Sequence, residues 1–147
     1  FPIFKTNRGG KWTFHGSGQK VIYFAIDLNS EKNLKDFIRK VESWIIQVLK
    51  SYNINSFNDR KNIGIWVDNK NNSEKIAAIG IRVKKWIAFH GFSLNVNVNK
   101  KDYDGIIPCG ITDKGIANMT DFVEMSYLNN INEVIISKFK KTFPNKF

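Results

Sequence analysis

The alternation of apolar and polar residues predicts a strand followed by a long helix in the first third of the chain. An unbroken apolar run at 21–26 predicts a buried strand over residues 19–28. After Asn29-Ser30, which can cap a helix, apolar residues recur at helical spacing and form one stripe over about five turns. The stripe consists of Leu34, Phe37, Ile38, Val41, Trp44, Ile45, Val48, Leu49 and Tyr52.

Shorter strands are predicted after this helix. Residues 63–67 form a short apolar run, and the Asp-Asn-Lys-Asn-Asn sequence at 68–72 is typical of a hairpin turn. Two further strands are predicted over 75–83 and 86–97, joined at Lys84-Lys85.

The last third of the chain predicts a loop and a second helix. Residues 102–113 carry Gly105, Pro108 and Gly110, which favour a loop or short turns. Further on, Asn129 or Asn130 can cap an amphipathic helix. The apolar positions of that helix are Ile131, Val134, Ile135, Phe139 and Phe143. Strands in hairpins, with helices between and after them, predict an α+β fold in one domain rather than a doubly wound parallel sheet.

Composition excludes several classes of protein. Apolar residues make up 42% of the 147 residues, which is enough for a core. The apolar runs are far too short to cross a bilayer, and the opening residues have no signal-peptide pattern, so no membrane association is expected. A single cysteine cannot form an internal disulfide, which favours a reducing compartment. One cysteine and two histidines also argue against a structural zinc site.

The net charge of +10 has two interpretations. A basic surface accelerates the approach of an acidic partner, whether nucleic acid or an acidic protein. The alternative is compositional drift, since the chain is rich in Lys, Asn and Ile. The basic residues are spread along the chain rather than gathered in one arginine-rich stripe, which argues against a nucleic-acid surface. A basic nucleic-acid-binding module stays as an alternative, supported only by charge and by an aromatic share of 14%.

Residues 8–19 form a glycine-rich segment with four glycines. Glycines are costly in backbone entropy unless close backbone approach or a positive φ is needed. Such a segment can lay exposed amides against an extended ligand, and the alternative is a plain glycine-rich hairpin. It matches neither the phosphate loop nor the dinucleotide fingerprint.

Two predicted strands carry candidate binding residues. Lys75 opens an apolar strand in which Ala77, Ala78 and Gly80 leave room for a ligand, although a lysine at a strand end is more often a solvated residue. His90 precedes a glycine at the start of the other strand, where it can either line a cleft or be structural.

Cys109 lies between Pro108 and Gly110 in the predicted loop, where catalytic residues are often presented. A free cysteine is more commonly a small buried hydrophobe, and it becomes a nucleophile only when its pKa falls enough to populate the thiolate. A lysine ammonium at about 4 Å would favour the thiolate by at most about 4 kcal/mol at an effective dielectric constant near 20. Spacing along the chain does not decide whether Lys75 reaches Cys109.

Taken together, these segments resemble the octanoyltransferases of lipoate biosynthesis. The family's Arg-Gly-Gly, Thr-aromatic-His-Gly and Gly-Gln block is matched by residues 8–19, and its Lys-to-Gly-Arg block by 75–82. Its His-Gly block with Leu-Asn-Val-Asn is matched by 90–97, and its Pro-Cys-Gly-Ile block by 108–111. All four occur in the family's order and spacing.

The chain departs from the family pattern at several points. Ser17 stands where proline is usual, Phe14 where tyrosine is usual and Asn99 where aspartate is common. Family members also carry a longer segment before the first block, including strands of the central sheet. We therefore expect residues 1–147 to be a single octanoyltransferase catalytic domain that lacks the family's N-terminal strands.

The resemblance implies both a fold and a catalytic pair. The fold is that of the biotin and lipoate protein ligase catalytic domains, a mixed β-sheet flanked by helices. Cys109 would carry an acyl-thioester intermediate, and Lys75 would lower the pKa of its thiol and shuttle protons. The substrate-binding residues implied by the resemblance are Arg8, Gly9, Gly10, Lys11, Trp12, Thr13, Phe14, His15, Ala78, Ile79, Gly80, His90, Gly91, Phe92 and Ser93.

The resemblance also implies the reaction partners. The octanoyl group would come from octanoyl-acyl carrier protein, an acidic partner for a chain of charge +10. It would pass to a lysine of a lipoyl domain, either in E2 subunits of 2-oxoacid dehydrogenases or in the glycine cleavage H protein. No cofactor, metal or nucleic acid is expected, and the protein is expected to be a monomer in bacterial cytoplasm, or in a mitochondrion or plastid if eukaryotic. The alternatives are an ATP-dependent lipoate or biotin ligase, which needs no nucleophilic cysteine, and an inactive homologue.

Overall fold

The computed structural model describes residues 2–10, 12–69, 72–103 and 115–146. Within these ranges the chain forms a five-stranded sheet of order β1-β5-β4-β3-β2 and two α-helices. The elements are β1 Gln19–Asp27, α1 Leu34–Lys50, β2 Phe57–Asn58, β3 Ile65–Asn69, β4 Asn72–Lys84, β5 Ile87–Asn95 and α2 Ile131–Thr142. Each pair of adjacent strands is antiparallel, and the one described parallel component is an isolated bridge between Lys75 and Ile116. The predicted α+β class is confirmed.

The strand predicted over residues 19–28 is confirmed, but its prediction as a buried strand is wrong. Val21 and Tyr23 are exposed while Ile26 is buried. The reason is that β1 lies at one edge of the described sheet, and alternate side chains of a strand point to opposite faces. Only one of these two sets of side chains reaches the core.

The apolar stripe of α1 is confirmed, because it packs into the main core from Phe37 to Leu49. The predicted cap at Asn29-Ser30 is wrong: Asn33 caps the helix, and its side chain accepts a hydrogen bond from the Asp36 backbone N–H. Asn29 instead donates to the Asp27 carboxylate through both its backbone N–H and its side-chain amide.

The helices and the sheet meet around Trp44. Its ring lies 4.9 Å from the rings of both Phe92 on β5 and Phe139 on α2, and its indole N–H donates to the Ile135 carbonyl at 2.9 Å. One side chain therefore joins α1, α2 and the sheet, and it fixes the face of the sheet that the helices cover.

Both predicted hairpins are present, with small shifts. β3 and β4 pair through Asn69 and Asn72, and the two residues between them lie outside the described residues. β4 and β5 are joined at Lys85 and Trp86, both of which have a positive φ, as a two-residue primed turn requires. The sequence did not predict β2, which has only two residues and therefore no periodicity to recognise.

The second helix begins at Ile131, as predicted, with Asn130 at the cap position. The Asn130 side chain does not cap the helix but accepts a hydrogen bond from the Tyr52 hydroxyl at 3.0 Å. Of the predicted loop at 102–113, the first two residues belong to a 3₁₀ turn at Lys100–Tyr103, and the rest lies outside the described residues.

Candidate functional site

Lys75 is a buried cation, with only 4% of its surface exposed. Its backbone N–H donates to the Gly115 carbonyl at 2.9 Å, and its own carbonyl accepts from the Ala117 N–H at 3.0 Å. The chain segment that follows residue 114 is therefore tied to Lys75, and Cys109 lies five residues before that point in the sequence. Cys109 itself lies outside the described residues, so the structure does not test its distance from Lys75.

The side chain of Lys75 is held at two points. Its ammonium donates to the Ile63 carbonyl at 3.1 Å and lies 4.7 Å from the centre of the Trp66 ring. An ammonium has three N–H donors, so this arrangement leaves capacity for a group in the adjoining cleft.

A small cleft lies beside Lys75, with a cavity volume of only about 10 Å³. Its lining residues are Trp12, Thr13, Lys75, Ala78, Asn95, Tyr103 and Ile116. The sequence analysis named the first four of these as site residues. It missed Asn95, Tyr103 and Ile116, of which Asn95 could have been found because it lies within the segment 90–97 already singled out.

Small residues continue from this cleft across the sheet. Ala78 pairs with Ser93 and Gly80 pairs with Gly91, so these residues occupy two consecutive positions on the same face of β4 and β5. A side chain at Gly91 would lie 1.9 Å from the Ile22 carbonyl oxygen, so no larger residue fits without moving the backbone.

The Arg8–Gly10 segment crosses this face. The Gly9 N–H donates to the Ile81 carbonyl at 3.3 Å, and a methyl group at Gly80 would lie 2.8 Å from the Arg8 side chain. The predicted binding residues of the first and second blocks are therefore adjacent, and the glycines are what permit this approach.

Two predicted binding residues point the other way. Ile79 and Phe92 pair with each other across β4 and β5, and both pack in the core on the helix side of the sheet. They alternate with the small residues along each strand, so they can support the cleft only from the helix side of the sheet.

His90 is held in an unusual backbone conformation, with φ of +68° in the middle of β5. Its ring stacks near Phe89 at 4.9 Å, and its Nε2 lies 3.0 Å from the Asn7 side-chain oxygen. Asn7 also accepts a hydrogen bond from Arg82 through its backbone carbonyl. A positive φ in a residue other than glycine costs about 1–3 kcal/mol, and here it turns His90 toward the segment that precedes Arg8.

A chain of polar side chains ties the glycine-rich segment to the cleft. His15 Nδ1 lies 2.8 Å from the Gln19 side-chain oxygen, and the Gln19 amide donates to Asn95 at 2.9 Å and to the Tyr103 hydroxyl at 2.7 Å. The Tyr103 hydroxyl donates to Asn95 Oδ1, and Asn95 Nδ2 donates to the Ala117 carbonyl. Asn95 thus connects the residues on both sides of the undescribed range 104–114.

The Tyr103 hydroxyl is an unusually weak acid, mainly because it is buried. Burial raises the pKa of the Tyr103 hydroxyl to about 12, against the opposing effect of its hydrogen bonds with Asn95 and Gln19. The ring packs edge-on against Phe14 at 5.2 Å, and these two residues form a small second core with Val98. The tyrosine is therefore a neutral hydrogen-bonding group at any physiological pH.

The remaining predicted site residues are accounted for as follows. Lys11 lies outside the described residues, like Cys109. Trp12 is 62% exposed at the rim of the cleft, next to the half-buried Thr13. Across the described ranges, no three His, Cys, Asp or Glu side chains are grouped so that they could hold a metal ion, and no helix there could span a membrane.

Comparison with known proteins gives consistent results. The family described as lipoyl protein ligase A/B catalytic domain matches residues 1–147. An octanoyltransferase of Wolbachia pipientis subsp. Culex pipiens (strain wPip) is 45% identical over 145 residues, which cover 97% of this chain and 71% of that protein. An octanoyltransferase of Bartonella tribocorum (strain CIP 105476 / IBS 506) is 40% identical over 153 residues, covering 97% of this chain and 62% of that protein. This chain thus spans 62% to 71% of the length of these two relatives.

A solved structure supports the fold. The structure of a bi-partite lipoate protein ligase from Thermoplasma acidophilum, described together with its E2 lipoyl domain, superimposes with a TM-score of 0.72 at 16% identity. The match covers 93% of this chain and 56% of that chain. The predicted likeness to the lipoate ligase catalytic domain is therefore confirmed at the level of the fold.

Proposed function

We propose that this chain, which belongs to the lipoyl protein ligase A/B catalytic domain family and to its octanoyltransferases, transfers an octanoyl group from acyl carrier protein to a lysine of a lipoyl domain. The observation that carries the proposal is the buried Lys75, which lines a cleft and is hydrogen-bonded to Gly115 and Ala117, shortly after Cys109 in the sequence. This supports the proposal that the Lys75 ammonium acts on the Cys109 thiol.

The first proposed step is a thioester exchange. The Cys109 thiolate attacks the carbonyl carbon of the octanoyl thioester, the bond from that carbon to the phosphopantetheine sulfur breaks, and the released thiolate takes a proton. The Lys75 ammonium favours the Cys109 thiolate electrostatically and is the proton donor to the leaving sulfur. One thioester replaces another, so this step is nearly balanced in free energy.

The second proposed step forms an amide. The ε-amine of a lipoyl-domain lysine attacks the Cys109 thioester, the bond between carbon and Cys109 sulfur breaks, and the amine loses one proton as the Cys109 thiolate is restored. Lys75, which lost its proton in the first step, is the base that accepts it. Amide formation draws the two-step sequence forward, and no cofactor takes part in either step.

The small-residue face of the sheet is the proposed channel for the acyl chain. Ala78, Gly80, Gly91 and Ser93 place no large side chain on this face, and the Arg8–Gly10 segment crosses above them with the Arg8 side chain against Gly80. An octanoyl chain needs a path without bulky side chains, and large side chains on the opposite face already fill the core.

The proposed partners follow from charge and from the relatives. A chain of net charge +10 attracts an acidic carrier protein by electrostatic steering. The archaeal ligase of similar fold was described with its E2 lipoyl domain, and we propose lipoyl domains of E2 subunits and of the glycine cleavage H protein as acceptors. Because the relatives are bacterial, the proposal places the reaction in a bacterial cytoplasm.

Intact-mass measurement after incubation with octanoyl-acyl carrier protein tests the nucleophile. The chain should gain the mass of one octanoyl group, and Cys109→Ser should gain none while keeping the same circular dichroism spectrum. A folded wild-type chain that gains no mass, but forms octanoyl adenylate from octanoate and ATP, would support the ATP-dependent ligase instead.

The role of Lys75 has its own test. Lys75→Met keeps the length of the aliphatic side chain and removes the charge, so it should slow acylation of Cys109 by at least about tenfold, equivalent to roughly 1.4 kcal/mol. Acylation rates measured in quenched reactions at several donor concentrations would separate this loss of rate from weaker donor binding. An unchanged acylation rate would remove Lys75 from the mechanism.

A further inference from the structure

A buried ammonium without a carboxylate partner needs an explanation. Moving an isolated ammonium out of water is costly, and such groups are usually paired. The ion pairs seen in the described ranges lie elsewhere, and none of them includes Lys75. Among the described residues, groups other than an acidic side chain therefore hold the Lys75 ammonium in place.

The segment from Asn62 to Trp66 supplies the groups that hold the Lys75 ammonium. The Asn62 carbonyl accepts a hydrogen bond from the Trp66 indole N–H at 2.8 Å, which fixes the ring. The Ile63 carbonyl accepts from Lys75 Nζ at 3.1 Å, and the ring lies 4.7 Å from the same nitrogen. We refer to Asn62, Ile63, Gly64 and Trp66 as the lysine seat.

Gly64 makes this arrangement sterically feasible. Its φ is +136°, a conformation that residues with side chains rarely adopt. A methyl group there would lie 2.8 Å from the Ala77 carbonyl oxygen and 3.1 Å from Lys75 Cε. The lysine stem therefore passes through the space that a side chain at position 64 would occupy.

Trp66 is also unusual in what it contacts. It is the largest side chain among those with less than 2% exposure, yet it is not a member of the main core cluster that packs against the helices. An indole face attracts a cation more strongly where both groups are buried than at an exposed site.

We propose that Trp66 is a positioning residue for Lys75: its indole face, together with the Ile63 carbonyl, keeps the buried ammonium at the wall of the cleft. This rests on the proposed function, in which Lys75 acts on Cys109 and on the leaving sulfur. It adds a residue that acts in that reaction through Lys75.

A double-mutant cycle tests the coupling between the two residues. Trp66→Leu should slow acylation of Cys109 by octanoyl-acyl carrier protein about tenfold, because the ammonium loses its aromatic partner. Trp66→Phe retains an aromatic face and should recover most of that rate. In the Lys75→Met background, Trp66→Leu should cause no further loss, since the group it positions is already gone.

A second readout does not depend on the transfer reaction. Acetylation by a small amine-reactive ester, followed by peptide mass mapping, should label Lys75 several times faster in Trp66→Leu than in the wild-type chain. Labelling of the exposed Lys85 in the same samples should be unchanged and provides the internal reference. Thermal melts followed by circular dichroism identify variants that fold, and the non-aromatic Trp66→Met carries both measurements if Trp66→Leu does not fold.

The outcomes separate the two proposals. If Lys75→Met acylates at the wild-type rate, the proposed role of Lys75 fails, while the labelling experiment still decides whether Trp66 positions it. If Lys75→Met is slow but the Trp66 substitution is additive with it, or leaves Lys75 labelling unchanged, then Trp66 is merely structural and the inference is overturned.

Discussion

The two faces of the sheet are built from the same strands but meet opposite requirements. On the helix side, Phe92 and Ile79 pack with Trp44 in a core of large interlocked side chains. On the other side, the intervening positions of the same strands hold Gly80 and Gly91 as a cross-strand pair. The helix face is built from large side chains that pack together, and the other face from small residues that leave no large side chain on the sheet. The two faces should therefore respond differently when side-chain volume is added or removed.

Trp44→Ala is expected to have the largest effect on the helix face. It removes ring contacts with Phe92 and Phe139 together with the hydrogen bond to Ile135. Large aromatic truncations in cores cost about 3–5 kcal/mol, and we expect a loss of free energy of unfolding in that range. Urea unfolding followed by circular dichroism measures it.

The matched control for Trp44→Ala is Trp12→Ala, which removes an equally large ring from the rim of the cleft. Trp12 is 62% exposed, so its loss should change the free energy of unfolding by less than about 0.5 kcal/mol. If Trp44→Ala and Trp12→Ala lower the free energy of unfolding by similar amounts, the two faces do not differ in packing as described.

The sequence predicted the helix face well because its signals are local. The helical spacing from Phe37 to Leu49 can be recognised within one short stretch of sequence. The same is true of the alternation of apolar and polar residues that predicts β5. The N-cap was misplaced at Asn29-Ser30 because several polar residues precede the helix, and only the geometry selects Asn33.

The cleft was predicted less completely because it depends on distant contacts. Gln19 meets Tyr103 across 84 positions, and Lys75 pairs with Trp66 where the register between β3 and β4 shifts, beside Gly64. The family resemblance supplied the list of site residues but not the face on which each lies, so Ile79 and Phe92 were grouped with their neighbours. The roles of Cys109 and Lys75, the single-domain boundary at 1–147 and the monomeric state stay predictions.

Two adjacent alanines offer the closest comparison of the faces. Ala77 is 1% exposed and belongs to the core beside Leu94, whereas Ala78 is half-buried and lines the cleft. Ala77→Leu should overpack the core and cost about 1–3 kcal/mol of unfolding free energy. Ala78→Leu should cost less than Ala77→Leu but fill the proposed acyl channel.

The Ala78→Leu variant has a functional readout as well. Intact-mass measurements with octanoyl- and butyryl-acyl carrier protein should show slower loading of the octanoyl group than of the butyryl group, relative to the wild-type chain. If both acyl groups load as in the wild type, Ala78 does not line the channel. If Ala78→Leu destabilises the chain as much as Ala77→Leu, the two faces are equally packed.

A smaller effect than that of Ala77→Leu is expected at Tyr103, which belongs to the hydrogen-bonded polar side chains on the cleft side. Tyr103→Phe keeps the edge-on contact with Phe14 but removes the hydroxyl that bonds Asn95 and Gln19. Near pH 8 this should cost about 0.5–1.5 kcal/mol of unfolding free energy, the usual net value of a buried hydrogen bond. Urea unfolding at that pH gives the baseline for the pH series.

The pH dependence of stability distinguishes a buried hydroxyl from an ordinary packing contact. Burial raises the pKa of Tyr103 to about 12 in the folded chain, above its ordinary value of 10.0. The folded chain therefore holds this proton more tightly, and the resulting stability is full below pH 10 and is lost as the pH rises from 10 toward 12. Tyr103→Phe has no proton to lose, so its unfolding free energy should fall less steeply than that of the wild type across this window. Tyr52, whose pKa burial also raises, gives the matched comparison on the helix side through Tyr52→Phe. If the unfolding free energies of the wild type and Tyr103→Phe fall in parallel above pH 10, the Tyr103 hydroxyl is solvated and is not part of a buried hydrogen-bonded network.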